Sequence, residues 1–221
     1  MAVTMGGKDE PVVSKLMAYA DTLGGNPQAT IFGHAVKKNV SQAAMINGTA
    51  SHALDYDDTL VSFFGHPSVT LFPSLLALSE WQDKSGQDFL TAYLVGLSGR
   101  RHHWCSAVWT ITWPAGMPRP RLVIWRRQPG VPGFWVWIRH RQTYALGIAA
   151  TQASGLKRVF GTMCKPYHAG KSAQAGLMAA LLAKNDFTSA EDILEGPQGF
   201  FEVLKGSVNE DVLALLGLDG M

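Results

Sequence analysis

Two cysteines, Cys105 and Cys164, are all the chain has, which excludes a disulfide framework and any cysteine-based metal spacing. A reducing, cytoplasmic setting is the expectation. No apolar run reaches the roughly 18 residues of a membrane helix. The opening MAVTMGGKDEP lacks the basic and apolar regions of a secretory leader. Net charge is nearly absent, +2 over 221 residues, and so points to no nucleic-acid or membrane partner. Long alternation of apolar and polar residues is missing too, which argues against a sheet protein.

A sharper absence is local. Between Gly99 and Thr143 there is no Asp, Glu or Lys, while six of the 7 tryptophans fall between Trp104 and Trp137. Arg100 to Arg141 holds eight of the arginines. Five prolines interrupt the same stretch, and its tryptophans follow neither a strand nor a helix period. The chain therefore divides into 1–98, an irregular 99–143, and 144–221.

Outside that window the text is helical. Val12, Val13, Leu16, Met17, Ala20 and Leu23 share one face, and Gly24-Gly25 supplies the stop. Ala29–Phe32 is a short extended piece. Ser41 caps a second helix running to His52. Ser68–Trp81 is apolar, with Pro73 expected to bend it or reset its start. Asp88–Leu97, the small-residue stretch Tyr144–Ser154, and Gly170–Lys184 with Asn185 as its cap read as further helices. Thr188-Ser189-Ala190-Glu191 has the form of a capping box opening a short helix to Leu194. Val208–Leu216 is a last candidate. The fold class expected is all-α, a helical bundle.

Two segments could carry chemistry. The first is His52-Ala53-Leu54-Asp55-Tyr56-Asp57-Asp58-Thr59, followed by His66-Pro67-Ser68. Three carboxylates in four positions repel one another unless something pairs with them. They suit a solvated helix end, or a divalent cation held by oxygen ligands. The second is Phe160-Gly161-Thr162-Met163-Cys164-Lys165-Pro166-Tyr167-His168-Ala169-Gly170-Lys171. Free N–H groups at a helix start, with Lys and His beside them, suit an anion. An ordinary loop-to-helix junction has the same composition. Cys164 is read as a small structural residue, not a nucleophile.

These segments resemble the MmgE/PrpD family of lyases, which carries HALDFDDT followed by HPS, then FGTMTKPLHAG and ILEGPxGFF. The last resembles Ile193-Leu194-Glu195-Gly196-Pro197-Gln198-Gly199-Phe200-Phe201 here and is read as structural, two turns and two packing rings. The resemblance covers roughly Val12–Leu97 and Tyr144–Val203. It implies a small carboxylate substrate such as 2-methylcitrate or cis-aconitate, and loss of water or carbon dioxide after proton abstraction. It implies no metal or other cofactor, and typically a homodimer. Asp55 and His66 become the acid–base candidates and Lys165 the cationic clamp. Thr59 becomes a hydroxyl donor to substrate, with His168 and Lys171 lesser substrate contacts. Asp57 and Asp58 are expected to hold the turn together. The family's HY…GWH segment is missing, as is its α+β lid domain. The bundle is therefore expected to be incomplete, the chain truncated and this product inactive.

The odd window has a simple origin if it is out of frame. Reading from the third base of each codon turns Trp113-Pro114 and Met117-Pro118 into Ala, and permits His from Gly116-Met117. Ile111–Arg119 can then read YLAGWHAT, the missing family text. The rival reading is a basic, aromatic insert that stacks on single-stranded nucleic acid. A third is a non-catalytic helical oligomerisation domain.

Overall fold

The computed structural model describes residues 1–60, 65–101, 139–152, 154–194 and 196–203, with backbone alone for 98–101, 139–140 and 201. Its elements are α1 (Ala2–Gly7), α2 (Pro11–Leu23), β1 (Ala29–Thr30), β2 (Lys37–Lys38), α3 (Val40–His52), α4 (Pro67–Trp81), α5 (Gly86–Arg101), α6 (Arg139–Ala150), a 3-10 turn (Lys157–Val159), α7 (Cys164–Lys184) and α8 (Phe200–Val203). β1 and β2 pair antiparallel, with Ala29 opposite Lys38 and Thr30 opposite Lys37. This two-residue ribbon is the extended piece anticipated near Ala29. The class is all-α.

Helix α3 is the axis of the fold. Every residue in it except Ser41 is buried. A helix buried all round lacks a polar stripe, so its polar side chains must be satisfied internally. Most are, the exception being His52 Nε2 at the helix end. Thr49 Oγ1 donates to the Met45 carbonyl and Ser51 Oγ to the Asn47 carbonyl, at 2.9 and 2.7 Å. The Asn47 amide donates to the Thr30 carbonyl and accepts from the Phe32 N–H, which ties β1 to the helix. The start is set two residues earlier than Ser41 suggests. Asn39 is the cap: its Oδ1 accepts the Ser41 N–H, and its own N–H donates to Gln42 Oε1.

Around α3 pack α7, α4, α1 and α2. The α3–α7 crossing is the closest, because glycines face each other there. A Cβ on Gly48 would stand 2.9 Å from Gly170 Cα. One on Gly170 would stand 2.2 Å from both the Met45 carbonyl and Thr49 Oγ1. Val13, Ile31, Ala43, Ala44, Ile46, Ala77 and Leu177 fill the core on either side. A smaller cluster of Ile148, Ala149, Ala179 and Ala183 joins α6 to α7.

Several sequence expectations need correction. Pro73 does not reset α4, which begins with Pro67 in its first turn and runs through Pro73 to Trp81. An interior proline costs roughly 3 kcal/mol in an isolated helix; here Pro73 is fully buried, and packing overrides propensity. Helix α7 starts at Cys164, not Gly170, so Lys165, His168 and Lys171 all lie within it. No helix opens at Thr188: residues 188–190 are irregular and 191–194 are turns. The 99–143 window is helical at both ends, since α5 continues to Arg101 and α6 begins at Arg139. Its middle, the Phe201 side chain and the Val208–Leu216 candidate lie outside the described residues.

Candidate functional site

The end of α3 places His52 in the core. Only 1% of its side chain is exposed. The chain then turns: the Asp55 N–H donates to the His52 carbonyl, and Asp55 takes φ 54°. That left-handed conformation is uncommon outside glycine, and Asp is among the residues that tolerate it. It puts the next carboxylates on different faces of the loop. Leu60 and Gly65 form a bridge that brings the start of α4 back over the turn. Asp58 pins that return, accepting from the Ser68 N–H and from Ser68 Oγ at 3.3 and 2.7 Å.

Asp57 does something else. Its carboxylate is 4% exposed and accepts from His52 Nδ1 at 2.9 Å. His66 Nδ1 approaches the other oxygen to 3.2 Å but without the angle of a hydrogen bond. The two imidazoles meet edge to face, 4.6 Å between centroids. Their Nε2 atoms point the same way: His52 Nε2 lies 3.9 Å and His66 Nε2 3.7 Å from Asp55 Oδ1. The second Asp55 oxygen meets Lys165 Nζ at 2.6 Å, from the first turn of α7. Lys165 also sits 5.7 Å from the centre of the Phe160 ring.

Magnitudes separate the two carboxylates. Asp55 is 54% exposed, so its ion pair with Lys165 contributes at most about 1 kcal/mol to stability. That contact is cheap to exchange for another anion. The His52–Asp57 pair is almost wholly buried, and breaking it by removing one partner costs roughly 3 kcal/mol. Asp57 holds the loop; Asp55 and Lys165 are free to work.

The charges follow suit. The Lys165 hydrogen bond holds the Asp55 carboxyl below its usual value, against some burial. Burial pushes the Asp57 carboxyl up, and the His52 bond with the approach of His66 more than reverses this, leaving it well below the carboxylate range. The neighbouring Asp57 carboxylate raises the His66 imidazole, with burial opposing. His52, Asp55, Asp57 and His66 offer donor atoms within 4.8 Å of one another, a set that suits a transition metal. Lys165 already supplies a cation to Asp55, and His52 already occupies Asp57.

Of the six residues singled out from the sequence, the structure brings Asp55, His66 and Lys165 together. Thr59 is exposed and lines a cavity of about 250 Å³ with Asp58, Leu60, Pro67 and Leu97, a lining that includes none of those three. His168 and Lys171 take no part in the ion pairs that join the cluster. Burial lowers the His168 imidazole, and Lys171 Nζ donates to Gln174 Oε1 on its own helix. His52 was missed, and Asp57, expected to hold the turn, does so through a buried pair with His52 that was not expected. A histidine closing a buried helix, with an acid five residues on, was the available signal.

An all-α domain with an exposed carboxylate, a lysine and an imidazole converging at one helix end is equipped for proton transfer on an anionic small molecule. The MmgE/PrpD N-terminal domain family matches residues 1–100 and 139–211, and leaves 101–138 unmatched. The chain belongs to that family. It is 29% identical over 217 residues to cis-aconitate decarboxylase of Mus musculus, covering 95% of this chain and 44% of the relative. With cis-aconitate decarboxylase of Homo sapiens it shares 28% identity over 190 residues, 82% of this chain and 39% of the relative. The chain thus spans less than half the length of these curated relatives.

Proposed function

We propose that this chain carries the carboxylate-handling and proton-transfer site of an MmgE/PrpD lyase acting on a small di- or tricarboxylate such as cis-aconitate or 2-methylcitrate. The observation that carries the reading is the Asp55–Lys165 pair, 2.6 Å apart at a half-open site with His66 beside it.

Lys165 is positioned to take a substrate carboxylate in place of Asp55. Freed of the ammonium, Asp55 becomes a stronger base, because its proton affinity is no longer suppressed by the cation. Abstraction of a proton next to a carboxylate builds charge on that carboxylate, where the Lys165 ammonium and the Thr59 hydroxyl oppose it. His66, raised by Asp57 against burial, is the group that returns a proton to the leaving group or to the carbon that loses carbon dioxide. Water loss and decarboxylation use the same groups and differ in which bond breaks next.

The test is product formation from cis-aconitate and from 2-methylcitrate, followed by NMR. Turnover that falls 100-fold or more in both Lys165→Met and His66→Gln supports the reading. Turnover untouched by either substitution contradicts it.

A further inference from the structure

We propose that Asp57 and His52 are positioning residues of this site: the buried Asp57 carboxylate, anchored by the His52 Nδ1–H, fixes the tautomer of His66 so that its Nε2 faces Asp55. The inference rests on the reading of His66 as a proton-transfer group, and supplies what that reading lacks, a reason for His66 to present one particular nitrogen.

The geometry is specific. Asp57 has two carboxylate oxygens and meets two imidazoles, both through Nδ1, at 2.9 and 3.2 Å. A carboxylate can only accept, so a neutral imidazole facing it must place its proton on Nδ1. With Nδ1–H held toward Asp57, Nε2 is the nitrogen left to gain or lose the exchangeable proton. In both rings it lies on the Asp55 side, 3.9 and 3.7 Å from Oδ1 and beyond hydrogen-bond distance, so Asp55 does not fix the tautomer. The two sides of the arrangement differ in tightness. The His52 bond is closed and buried, while the His66 contact has the distance but not the angle of a hydrogen bond. A catalytic hydrogen bond is often loose before substrate binds and closes with it. His52 is therefore the fixed arm of the pair and His66 the moving one. The buried His52 Nε2, without a hydrogen-bond partner, is the second sign that the core ring is set by the cluster and not by the surrounding helices.

The charged and titratable groups facing His66 are Asp57 and Asp55 from the loop, Lys165 from α7, and the His52 ring. Asp57 and Asp55 favour the imidazolium and Lys165 opposes it. Asp57 is the nearest, so its removal has the largest effect on how His66 holds a proton.

The experiment is nitrogen-15 NMR of the histidines across pH in the full chain, which reads tautomer and midpoint separately and needs no turnover. In the unsubstituted protein His66 is expected as the Nδ1–H tautomer when neutral. In Asp57→Asn its midpoint falls by about 1 pH unit or more, and the Nε2–H tautomer appears. Two changes at His52 keep the question decidable if that variant does not fold. His52→Asn retains a donor near Nδ1 and leaves the His66 tautomer as before. His52→Leu removes it, leaves Asp57 unanchored, and mixes the two tautomers. An Nε2–H His66 in the unsubstituted chain overturns the proposal. So does a His66 spectrum unchanged by Asp57→Asn, or identical in His52→Asn and His52→Leu. These outcomes are separate from the lyase reading, which fails on turnover insensitive to Lys165 and His66 whatever the tautomer.

Discussion

Helix α7 is met by a glycine of its own, Gly170, at the α3 crossing, and α6 by Gly147 at the turns after residue 188, yet the two close approaches differ in kind. A side chain at Gly170 would meet backbone, the Met45 carbonyl and the Thr49 N–H, as well as Thr49 Oγ1. A side chain at Gly147 would meet Ser189 Oγ at 2.1 Å, Ser189 Cβ at 2.8 Å and Ile193 Cγ2 at 3.1 Å, all side-chain atoms. Backbone inside two long helices cannot retreat, whereas residues 188–194 lie outside any helix and can shift as a segment. Both contacts lie within residues matched by the family. At the second, only the last residues of α6, Gly147 to Ala150, are buried and its earlier described residues are not. Packing is rigid where two long helices cross and adjustable where a helix meets turns.

That contrast can be broken by substitution. Gly170→Val is expected to cost more than about 3 kcal/mol and to abolish cooperative unfolding, because no rotamer clears the α3 backbone. Asp57→Ala comes next, at roughly 3 kcal/mol by urea denaturation, since it leaves the His52 donor buried and unpaired. Gly147→Ala should cost only about 1 kcal/mol, with Ser189 moving aside. Arg141→Ala should change stability by less than about 0.5 kcal/mol. Its 2.6 Å pair with Asp186 joins α6 to the end of α7, but Asp186 is 73% exposed. A Gly147 effect as large as that of Gly170 would mean the region beside the window is packed as rigidly as the core.

The pH dependence of stability distinguishes the loop from the rest. Asp55 and Asp57 have folded values below their unfolded ones, so their contribution is present above about pH 4 and is lost as pH falls through the folded values. His66 has a raised folded value, so its contribution is complete below about pH 6.5 and is lost as pH rises through that folded value. Urea midpoints measured across this range should fall on both sides, and Asp57→Asn should flatten both limbs. Limbs unchanged by that substitution would remove Asp57 from the account.

How much of this could be read from the sequence differs between neighbouring residues. Asp55, His66 and Lys165 were legible because their surrounding text resembles the family closely. The helices around them were legible from apolar spacing and caps, apart from α1, which was not anticipated, and starts displaced at α3, at α6 (Arg139, not Tyr144) and at α7 (Cys164, not Gly170). Asp57 was legible as a residue that holds the turn, but its burial was not. A run of three acids also suits a solvated turn, and nothing local shows that His52 and His66 both close on this one carboxylate. Of the two effects expected of Pro73, a new helix start is absent: helix propensity is a local preference, and a buried position in α4 overrides it. The capping-box letters at Thr188 misled because no apolar helical face follows them to be buried. The window itself is best addressed in the coding DNA. Family-like text across 101–138 in the frame starting on the third base is the expected result, and a single uninterrupted frame with no such text would favour a true insert.

The claim on which all this rests is that the Asp55–Lys165–His66 cluster receives a substrate carboxylate. Titration of the chain with cis-aconitate, followed by the NMR signals of the His66 ring, tests it most directly. A saturable shift of His66 that disappears in Lys165→Met is the predicted result. A His66 signal that ignores the ligand, or that moves equally with and without the Lys165 ammonium, would contradict it.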